Sequence, residues 1–273
     1  MTPATREDAA LAALLDAIYH TYHYDFRAYS ETSLRRRLEA ARRRFACQSL
    51  AELQERTLRD PATFGELLGY LTVQVSDMFR DPPYFRALRE HVVPYLQTYA
   101  ALKVWVAGCA TGEEAFALAI LLDEEGLLER TLIYATDINP HSLAVAQTGI
   151  YELDRLPRFT ANHLESGARA SLSHYYTTAY GGALFDRRLR KAIVFSDHSL
   201  ATDSAFAEVQ LVSCRNVLIY FEKTLQEHAL ELLRGSLCHR GFLGLGMKES
   251  LRFSRQRSAF AEIDADTKIY QKL

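Results

Sequence analysis

Residues 104 to 122, VWVAGCATGEEAFALAILL, combine glycines and carboxylates at a spacing that could bind a ligand. An apolar run is followed by Gly108 and Gly112, and then by Glu113 and Glu114 at the start of a helix-like apolar pattern. This order predicts a strand, a tight turn and a helix, which together hold nucleotide-like ligands at the end of a parallel sheet. The turn matches neither the dinucleotide fingerprint nor the phosphate loop, because Glu113 stands where a phosphate loop has lysine.

The two carboxylates restrict the kind of ligand that this turn can bind. A helix N-terminus attracts anions, so filling it with Glu113 and Glu114 repels a pyrophosphate. We therefore expect a ligand without phosphate and with positive charge, and S-adenosylmethionine fits, with its adenosine, sulfonium and ammonium groups. Asp137 ends the next predicted strand, where a carboxylate can accept hydrogen bonds from both ribose hydroxyls. The alternative is that both glutamates are ordinary first-turn residues and Asp137 is a turn former.

Composition excludes several other classes of protein. The chain has 273 residues, 48% apolar and 24% charged, which is typical of a soluble globular enzyme with one large or two modest domains. A net charge of −2 predicts no global attraction to nucleic acid or membrane. The four cysteines show no CxxC spacing and no secretory signal precedes them, so we expect reduced thiols in a cytosolic protein. No apolar run approaches the length of a membrane span.

The N-terminal part of the chain, to about residue 80, has helical patterns throughout. Apolar residues from Leu34 to Phe45 recur on one helix face, and Asp60 with Pro61 starts another helix. Asp81, followed by two prolines, predicts a helix that runs to about Thr98 with the Asp81 carboxylate as its N-terminal cap. We therefore expect a helical domain over 1–80 and a linker helix over 81–100.

From residue 102 the pattern changes to strands alternating with helices. LKVWVA, a helix to about Glu125 and TLIYATD form a β-α-β unit. Further short apolar segments predict a mostly parallel sheet with helices on both faces: KAIVFS, VQLVSC, GFLGLGM and KIYQKL. The stretch at about 151–190 does not fit this rhythm, and TTAYGGALFD has the Gly-Gly turn of a β-hairpin. The sequence thus predicts an α/β domain over 101–273 with a small inserted β-subdomain.

Several motifs together resemble one known family. VWVAGCATGEEAFALA, IYATDIN, GIY, CRNVLIYF, GMKESL and QVSDMFRDPPYF are similar to the CheR-type chemotaxis receptor methyltransferases, which are protein-glutamate O-methyltransferases. The resemblance covers nearly the whole chain. It implies an all-helical N-terminal domain and a Rossmann-like methyltransferase domain with an inserted β-subdomain. It also implies S-adenosyl-L-methionine as cofactor and S-adenosyl-L-homocysteine as product.

The resemblance implies a set of cofactor contacts, to which we add Gly108 of the glycine turn. The implied residues are Gln74, Ser76, Arg80, Glu114, Asp137, Ser199, Leu200, Cys214 and Arg215. Gln74 and Ser199 stand where family members commonly carry Asn, so we expect their side-chain contacts to be made differently or through water.

A glutamate substrate simplifies the chemistry. Its carboxylate is already a nucleophile at neutral pH, so transfer needs alignment and exclusion of water rather than a general base. Tyr220, in CRNVLIYF, could orient the incoming carboxylate, or could be a core aromatic beside Phe221. Arg80 and Arg215 are donors suited to carboxylates; one could bind the cofactor and the other the substrate, and the sequence does not assign them.

The segment SLRRRLEAARRRF, residues 33 to 45, predicts a docking helix. Opposite its apolar face, Arg36 and Arg43 point away, flanked by Arg35 and Arg42 among others. Such an arginine face suits the acidic cytoplasmic helices of chemoreceptors, so we expect substrate binding there. The alternative is a solvated face relieved by acids such as Glu39. We expect a monomer that binds no nucleic acid and does not insert into the membrane.

Other interpretations remain open at this point. The chain could be a non-catalytic module that binds S-adenosylmethionine or its product. DPPY, residues 81 to 84, matches a motif by which nucleic-acid methyltransferases hold a flipped base. His20 and His23 have helical spacing, but no further ligands complete a metal site. Some family members bind a receptor C-terminal peptide with the inserted subdomain; Tyr175–Phe195 looks shorter here, so we expect a tether-independent enzyme.

Overall fold

The computed structural model describes residues 3–179 and 181–273. The chain forms two compact units. The first comprises the N-terminal residues to Val73 together with Ile219–Gln226, and the second comprises Gln74–Leu218 and Glu227–Leu273. The division falls after Val73, whereas the sequence predicted it at residue 80. Gln74–Arg80 belong to the second unit, with the α/β domain.

Among residues 3–73, the first unit contains four helices. They are α1 (Pro3–Tyr22), α2 (Glu31–Arg44), α3 (Leu50–Arg59) and α4 (Pro61–Leu71). In α2, Leu34, Leu38 and Ala41 are buried, which confirms the predicted apolar face. The start of α4 is also confirmed, because the Asp60 carboxylate accepts hydrogen bonds from the first backbone N–H groups of the helix.

The predicted helix after residue 81 is present but interrupted. It consists of α5 (Pro82–Ala87), a π-helical turn (Leu88–Val92) and α6 (Val93–Leu96). Pro94 has no N–H to donate to the preceding turn, and the wider π turn lies where an α-helical bond would be missing. The prediction that Asp81 caps this helix is wrong. Asp81 has φ of 58° and makes no capping hydrogen bond, since its carboxylate binds Arg215 instead.

A seven-stranded sheet forms the centre of the second unit. The strands of the chain are β1 (Leu102–Ala107), β2 (Thr131–Asp137), β3 (Ile150–Glu152), β4 (Tyr176–Ala179), β5 (Gly182–Phe185), β6 (Ile193–Asp197), β7 (Val209–Cys214), β8 (Leu237–Leu245), β9 (Phe260–Asp264) and β10 (Ile269–Lys272). The order in the large sheet is β6-β2-β1-β7-β8-β10-β9. The first five run parallel, β10 runs antiparallel to β8, and β9 runs antiparallel to β10 and therefore in the same direction as the first five. The mostly parallel α/β fold is confirmed, and the carboxyl ends of β1, β2 and β7 meet at one edge.

Five further helices accompany the strands. They are α7 (Glu113–Glu124), α8 (Pro140–Thr148), α9 (Leu156–Glu165), α10 (Arg187–Lys191) and α11 (Lys223–Ser236). Helix α7 follows β1 as predicted, and its residues from Ala115 to Leu122 are all buried. Such a helix, apolar on every side, is a core element rather than a surface one. It holds the glycine turn on a rigid base.

The inserted subdomain is a three-stranded sheet with order β3-β5-β4. The predicted hairpin corresponds to β4 and β5, which pair antiparallel with Ala179 opposite Gly182. Tyr180, in the predicted turn, lies outside the described residues. The sequence interpretation missed β3 and β9. The first has only three residues, and FAEID in β9 alternates polar and apolar residues, unlike the apolar runs that predicted the other strands.

Candidate functional site

The glycine turn between β1 and α7 is held against the end of β2. The N–H groups of Gly108 and Cys109 both donate to the Thr136 carbonyl, at 2.8 and 2.9 Å. Gly108 has φ of 73°, and a Cβ there would lie 2.4 Å from a methyl of Val217. Gly112 has φ of 91°, and a Cβ would lie 2.8 Å from that of Ala146. Glycine is therefore required at both positions by conformation and by space.

Asp137 ends β2 beside this turn, as expected. Its Oδ2 accepts a hydrogen bond from the Ala110 N–H and its Oδ1 one from the Asn139 N–H, each at 2.9 Å. Burial raises the pKa of Asp137, and these backbone N–H donors oppose that rise. A carboxylate has about four acceptor positions, so each oriented oxygen keeps capacity for another donor such as a ribose hydroxyl.

Glu113, the first carboxylate of α7, is buried and paired with an arginine. Arg155 donates from Nη1 to its carboxylate at 2.6 Å, and the Thr111 hydroxyl donates at 2.7 Å. Arg155 also donates to the Ser76 carbonyl and lies 3.6 Å from the Asp77 carboxylate. Sequence reasoning missed Arg155, because it lies 42 residues from Glu113 and no motif connects the two. Arg155 ties the glycine turn to the segment that carries Gln74, Ser76 and Arg80.

Glu114, the second carboxylate, is bound by residues at the end of β7. The Ser213 hydroxyl donates to it at 2.6 Å and the Arg215 guanidinium at 3.0 Å. The Tyr84 hydroxyl lies 2.9 Å from the Ser213 hydroxyl, which extends the network into α5. Burial raises the pKa of Tyr84, so this phenol stays protonated.

Arg215 is fully buried and its charge is already neutralised. Besides Glu114, it binds the Asp81 carboxylate at 2.8 Å and the Arg80 carbonyl at 2.8 Å. The Tyr84 ring centroid is 4.1 Å from the guanidinium carbon. Both carboxylates that Arg215 binds in this geometry belong to the protein, and its role towards a carboxylate of cofactor or substrate stays a prediction. A buried guanidinium requires paired charges, and two carboxylates of the protein provide them.

The same pairing corrects the charge argument made for the turn. Glu113 and Glu114 were expected to present negative charge to a cationic ligand, but arginines 155 and 215 neutralise them. Carboxylates at the start of a buried helix need partners, since unpaired burial costs several kcal/mol per ion, to order of magnitude. In the described structure the two glutamates connect the turn to Arg155, just before α9, and to the end of β7.

The segment before Asp81 has little regular structure and is held by side chains of the inserted region. Besides the bond from Arg155, the Asn162 amide donates to the Met78 carbonyl at 2.9 Å. Gln74, Ser76 and Arg80 are all half-buried. The Arg80 carbonyl binds Arg215, while the Arg80 guanidinium takes no part in the ion pairs formed by residues 3–179 and 181–273. Of the two arginines proposed from sequence, Arg80 is the one without a carboxylate partner there.

The remaining cofactor candidates lie after β6 and β7. Ser199 is half-buried, and its N–H donates to the Asp203 carboxylate at 2.9 Å. Leu200 is buried, and the loop is joined to β2 because the His198 N–H donates to the Asp137 carbonyl. Cys214 is fully buried at the end of β7, and burial raises the pKa of its thiol well above the ordinary value. The sheet order thus brings these positions to the edge that carries the glycine turn.

Tyr220 belongs to the first unit, in a 3₁₀ turn at Leu218–Tyr220. It is half-buried, its carbonyl accepts a hydrogen bond from the Ser30 N–H at 2.7 Å, and its ring centroid lies 4.9 Å from the Arg37 guanidinium. Tyr220 is therefore attached to the start of α2, the helix with the arginine face. Its catalytic role stays a prediction.

The arginines of α2 divide into engaged and exposed ones. Arg35 binds Glu31 at 2.6 Å and also Asp8. Arg42 forms a two-pronged pair with Glu39 and donates to the Cys47 carbonyl at 2.9 Å, in the turn that follows the helix.

Arg43 and Arg36 are the exposed members of the predicted set. The Arg43 guanidinium lies 3.0 Å from the Glu39 carboxylate, which also binds Arg42, but the Arg43 side chain is 76% exposed. Arg36 is exposed, and no ion pair is found for it in the part of the chain that the structure describes. Of the four arginines predicted to bind substrate, these two are the ones available to a partner.

Among residues 3–179 and 181–273, no cluster of three or more His, Cys, Asp or Glu side chains could hold a metal ion. The helices found in those same ranges are too short or too polar to cross a bilayer.

Comparison with known proteins identifies the two parts of the chain. Residues 74–269 match the family model described as "CheR methyltransferase, SAM binding domain", and residues 9–72 match "CheR methyltransferase, all-alpha domain". A Pseudomonas putida protein named "Putative methyltransferase Cher3" is 54% identical over 100% of both chains. A Listeria monocytogenes "Chemotaxis protein methyltransferase" is 30% identical, covering 83% of this chain and 84% of its own length. A glycopeptide N-methyltransferase, MtfA, solved with sinefungin, shares 13% identity at a TM-score of 0.39, over 63% of this chain and 50% of that one.

The fold and the matched models define an S-adenosylmethionine-dependent methyltransferase with a Rossmann-like domain and an all-helical N-terminal domain. The chain belongs to the CheR methyltransferase family. The site fits this cofactor: two turn positions without a side chain leave the backbone open, and the Asp137 oxygens keep acceptor capacity. When bound, the cofactor supplies an electrophilic methyl group.

Proposed function

We propose that this protein transfers a methyl group from S-adenosylmethionine to glutamate side chains on the cytoplasmic helices of chemoreceptors, forming glutamate methyl esters. The observation that carries the proposal is that the carboxylates near the glycine turn already have hydrogen-bond partners and that the thiols there have raised pKa values. Glu113 and Glu114 are bound by arginines, and Asp137 is bound by backbone N–H groups. Burial raises the pKa of the Cys109 and Cys214 thiols well above the ordinary value.

With the remaining acceptor positions of Asp137 assigned to the ribose hydroxyls, none of these five groups is suited to take a proton from a substrate. An amine that is protonated at neutral pH must lose a proton before it can attack a methyl group, which calls for a base. A glutamate carboxylate, with an unperturbed pKa of about 4.3, is already the nucleophile. The site therefore favours a substrate that arrives deprotonated, and catalysis by alignment and exclusion of water. Relatives named as chemotaxis methyltransferases support the same substrate class.

The two arginines receive different roles in this proposal. Arg80, whose guanidinium has no ion pair in the described ranges, binds the carboxylate of the cofactor. Arg215 acts as a positioning residue, because its bonds to the Arg80 carbonyl and to Asp81 hold the segment that carries Arg80. Asp137 accepts hydrogen bonds from the ribose hydroxyls, and Tyr220 orients the incoming carboxylate.

The contacts of DPPY argue against a nucleic-acid substrate. Tyr84 is fully buried, with its hydroxyl beside Ser213 and its ring against Arg215, so it cannot stack on a flipped base without leaving the core. Asp81 is held by Arg215. The contacts of Asp81 and Tyr84 thus connect α5 to the end of β7, and neither side chain is available to a nucleic-acid base.

The test is incubation with methyl-labelled cofactor and a purified receptor cytoplasmic fragment, followed by treatment with alkali. We expect label on the fragment that alkali releases as methanol, because carboxylate esters are base-labile. A fragment whose candidate glutamates are replaced by glutamine should take up no label. Tight cofactor binding without transfer would support a non-catalytic module instead, and alkali-stable label on added DNA or RNA would contradict the proposal.

A further inference from the structure

A second basic surface lies in the α/β unit, in the loop after β8, which begins with the GMKESL motif and is separate from the arginine helix. The loop at 246–258, GMKESLRFSRQRS, contains four basic residues and one acid. The acid, Glu249, is buried, whereas the basic residues Lys248, Arg252, Arg255 and Arg257 are all exposed. The outer surface of this loop is thus uniformly positive, in a chain with a net charge of −2.

The loop also exposes large apolar side chains. Phe253 is 80% exposed and Met247 is 44% exposed, with Arg252 stacked 5.5 Å from the Phe253 ring centroid. Single exposed hydrophobic residues are ordinary on protein surfaces. An aromatic ring flanked by Arg252 and Arg255 has instead the composition of a binding surface, where aromatic residues and arginine are enriched.

The conformation that presents Phe253 is strongly held. The Glu249 carboxylate accepts hydrogen bonds from the N–H groups of Gly246, Asn216 and Val217, at 2.6 to 2.9 Å. Leu251 is fully buried. A rigid loop loses less entropy when a partner binds, so the ring is presented ready for contact.

Further along the loop, the second half is fixed to α11. The Glu227 carboxylate accepts from the Ser254 hydroxyl at 2.9 Å and from the Arg255 N–H at 3.0 Å. These bonds use the backbone of Arg255 and leave its guanidinium outside the anchoring contacts. These hydrogen bonds therefore fix the backbone of the loop, while its basic side chains remain exposed.

The position of the loop connects it to the candidate site. Strand β8 runs parallel to β7, with Leu245 opposite Cys214, so the loop leaves the sheet at the edge that carries the glycine turn. Gly246 packs directly on the backbone that follows Arg215, since a Cβ there would lie 2.7 Å from the Asn216 nitrogen. A macromolecular substrate that reaches this edge must pass close to the loop.

We propose that the 246–258 loop is a docking surface for the acidic helical substrate, in which Phe253 packs between helices and Arg252 and Arg255 pair with their carboxylates. This inference rests on the proposed function for the identity of the partner. A uniformly positive loop beside a site that takes glutamates is complementary to a helix bundle rich in glutamate. An anionic lipid surface is the competing partner, and the experiment separates the two.

The experiment compares the wild-type full chain with the triple variant Arg252→Ser/Phe253→Ser/Arg255→Ser. Because these side chains are exposed, we expect an unchanged Tm and an unchanged Kd for the cofactor. We expect the KM for the receptor fragment to rise by about tenfold, as for loss of an aromatic and arginine contact centre. The rate advantage of the wild type over the variant should shrink as salt is raised.

Matched controls are Leu164→Ser, which removes a residue 73% exposed elsewhere in the same unit, and Arg59→Ser, which removes an exposed arginine of the other unit. Neither should change the KM for the fragment. A triple variant with the wild-type KM overturns the docking proposal. If that variant has an unchanged KM but no longer binds phosphatidylserine vesicles, the loop binds an anionic lipid surface instead.

A failure of the proposed function is recognised separately. If the wild type transfers no methyl group, direct titration of the fragment by fluorescence anisotropy decides the docking question. Weaker binding by the triple variant then supports the docking surface without the activity, and equal binding overturns it.

Discussion

Two groups of arginines in this protein, one on the surface of α2 and one around the glycine turn, have opposite environments. Near the turn, Arg155 and Arg215 bind buried glutamates, and Arg215 has no exposed surface. On α2, Arg36 and Arg43 are exposed. The same residue type holds the protein together in one region and remains available to a partner in the other.

The difference follows from burial rather than from sequence context. A guanidinium removed from water must be paired, so its contacts become part of the fold, and removing one partner leaves an uncompensated charge. An exposed guanidinium costs little to leave unpaired and gains little from a surface partner, so it can exchange neighbours. Substitution experiments should therefore separate the two regions by the property that changes.

The largest effect is expected at the buried pair. Arg215→Met leaves Glu114 buried without its partner, and we expect loss of about 3 to 5 kcal/mol of stability in denaturant unfolding. The double variant Arg215→Met/Glu114→Gln removes both charges and should recover part of this loss, which a double-mutant cycle measures. Additive effects of the two substitutions would mean that the pair is not coupled, contrary to the geometry.

An intermediate effect is expected at Asp137, a carboxylate held by backbone N–H groups instead of arginine. If it binds both ribose hydroxyls, Asp137→Ala should weaken cofactor binding by about 2 to 3 kcal/mol in calorimetry. A much smaller change in stability for Asp137→Ala than for Arg215→Met would show that the two residues act on different properties. Unchanged affinity in a folded Asp137→Ala protein would remove this residue from the site.

The pH dependence of that affinity provides an independent check. Burial raises the pKa of Asp137, so folding favours the neutral carboxyl relative to the unfolded chain, and the stability that this contributes is lost as pH rises through the folded-state pKa. Ribose hydroxyls donate to the charged form, so cofactor affinity should fall as pH is lowered through the same pKa, above that of an ordinary aspartate. Asp137→Asn should show no such step.

The smallest effect is expected on α2. Arg36→Ala/Arg43→Ala should leave stability and cofactor affinity unchanged and raise the KM for a receptor fragment by about a few-fold. The difference in KM between variant and wild type should shrink as salt reduces the screening length below about 10 Å. Arg42→Ala is the matched control, since Arg42 binds Glu39 and the Cys47 carbonyl and should affect stability instead. Normal methylation by the double variant across the salt range would make the helix an ordinary solvated face.

The local elements were predictable because each depends on residues close in the chain. Short apolar runs predicted β1, β2, β6, β7, β8 and β10, and a proline with a preceding aspartate predicted the start of α4. The same rule wrongly predicted Asp81 as a helix cap, because it considers only residues close in sequence, whereas Arg215 lies 134 residues away. A local preference of about 1 kcal/mol gives way to a charge-assisted bond to a buried arginine.

By itself, the sequence determined the strand, turn and helix around Gly108 and Gly112, the carboxylate at the end of β2, and membership of a methyltransferase family through motifs such as CRNVLIYF. Only the tertiary structure decided which charges are free. Glu113 meets Arg155 across 42 positions and Glu114 meets Arg215 across 101, so no local pattern records either pair. Exposure, which separates Arg36 from Arg215 and Phe253 from the buried aromatics, is a property of packing between distant segments, and it arises only when the sheet and its helices are assembled.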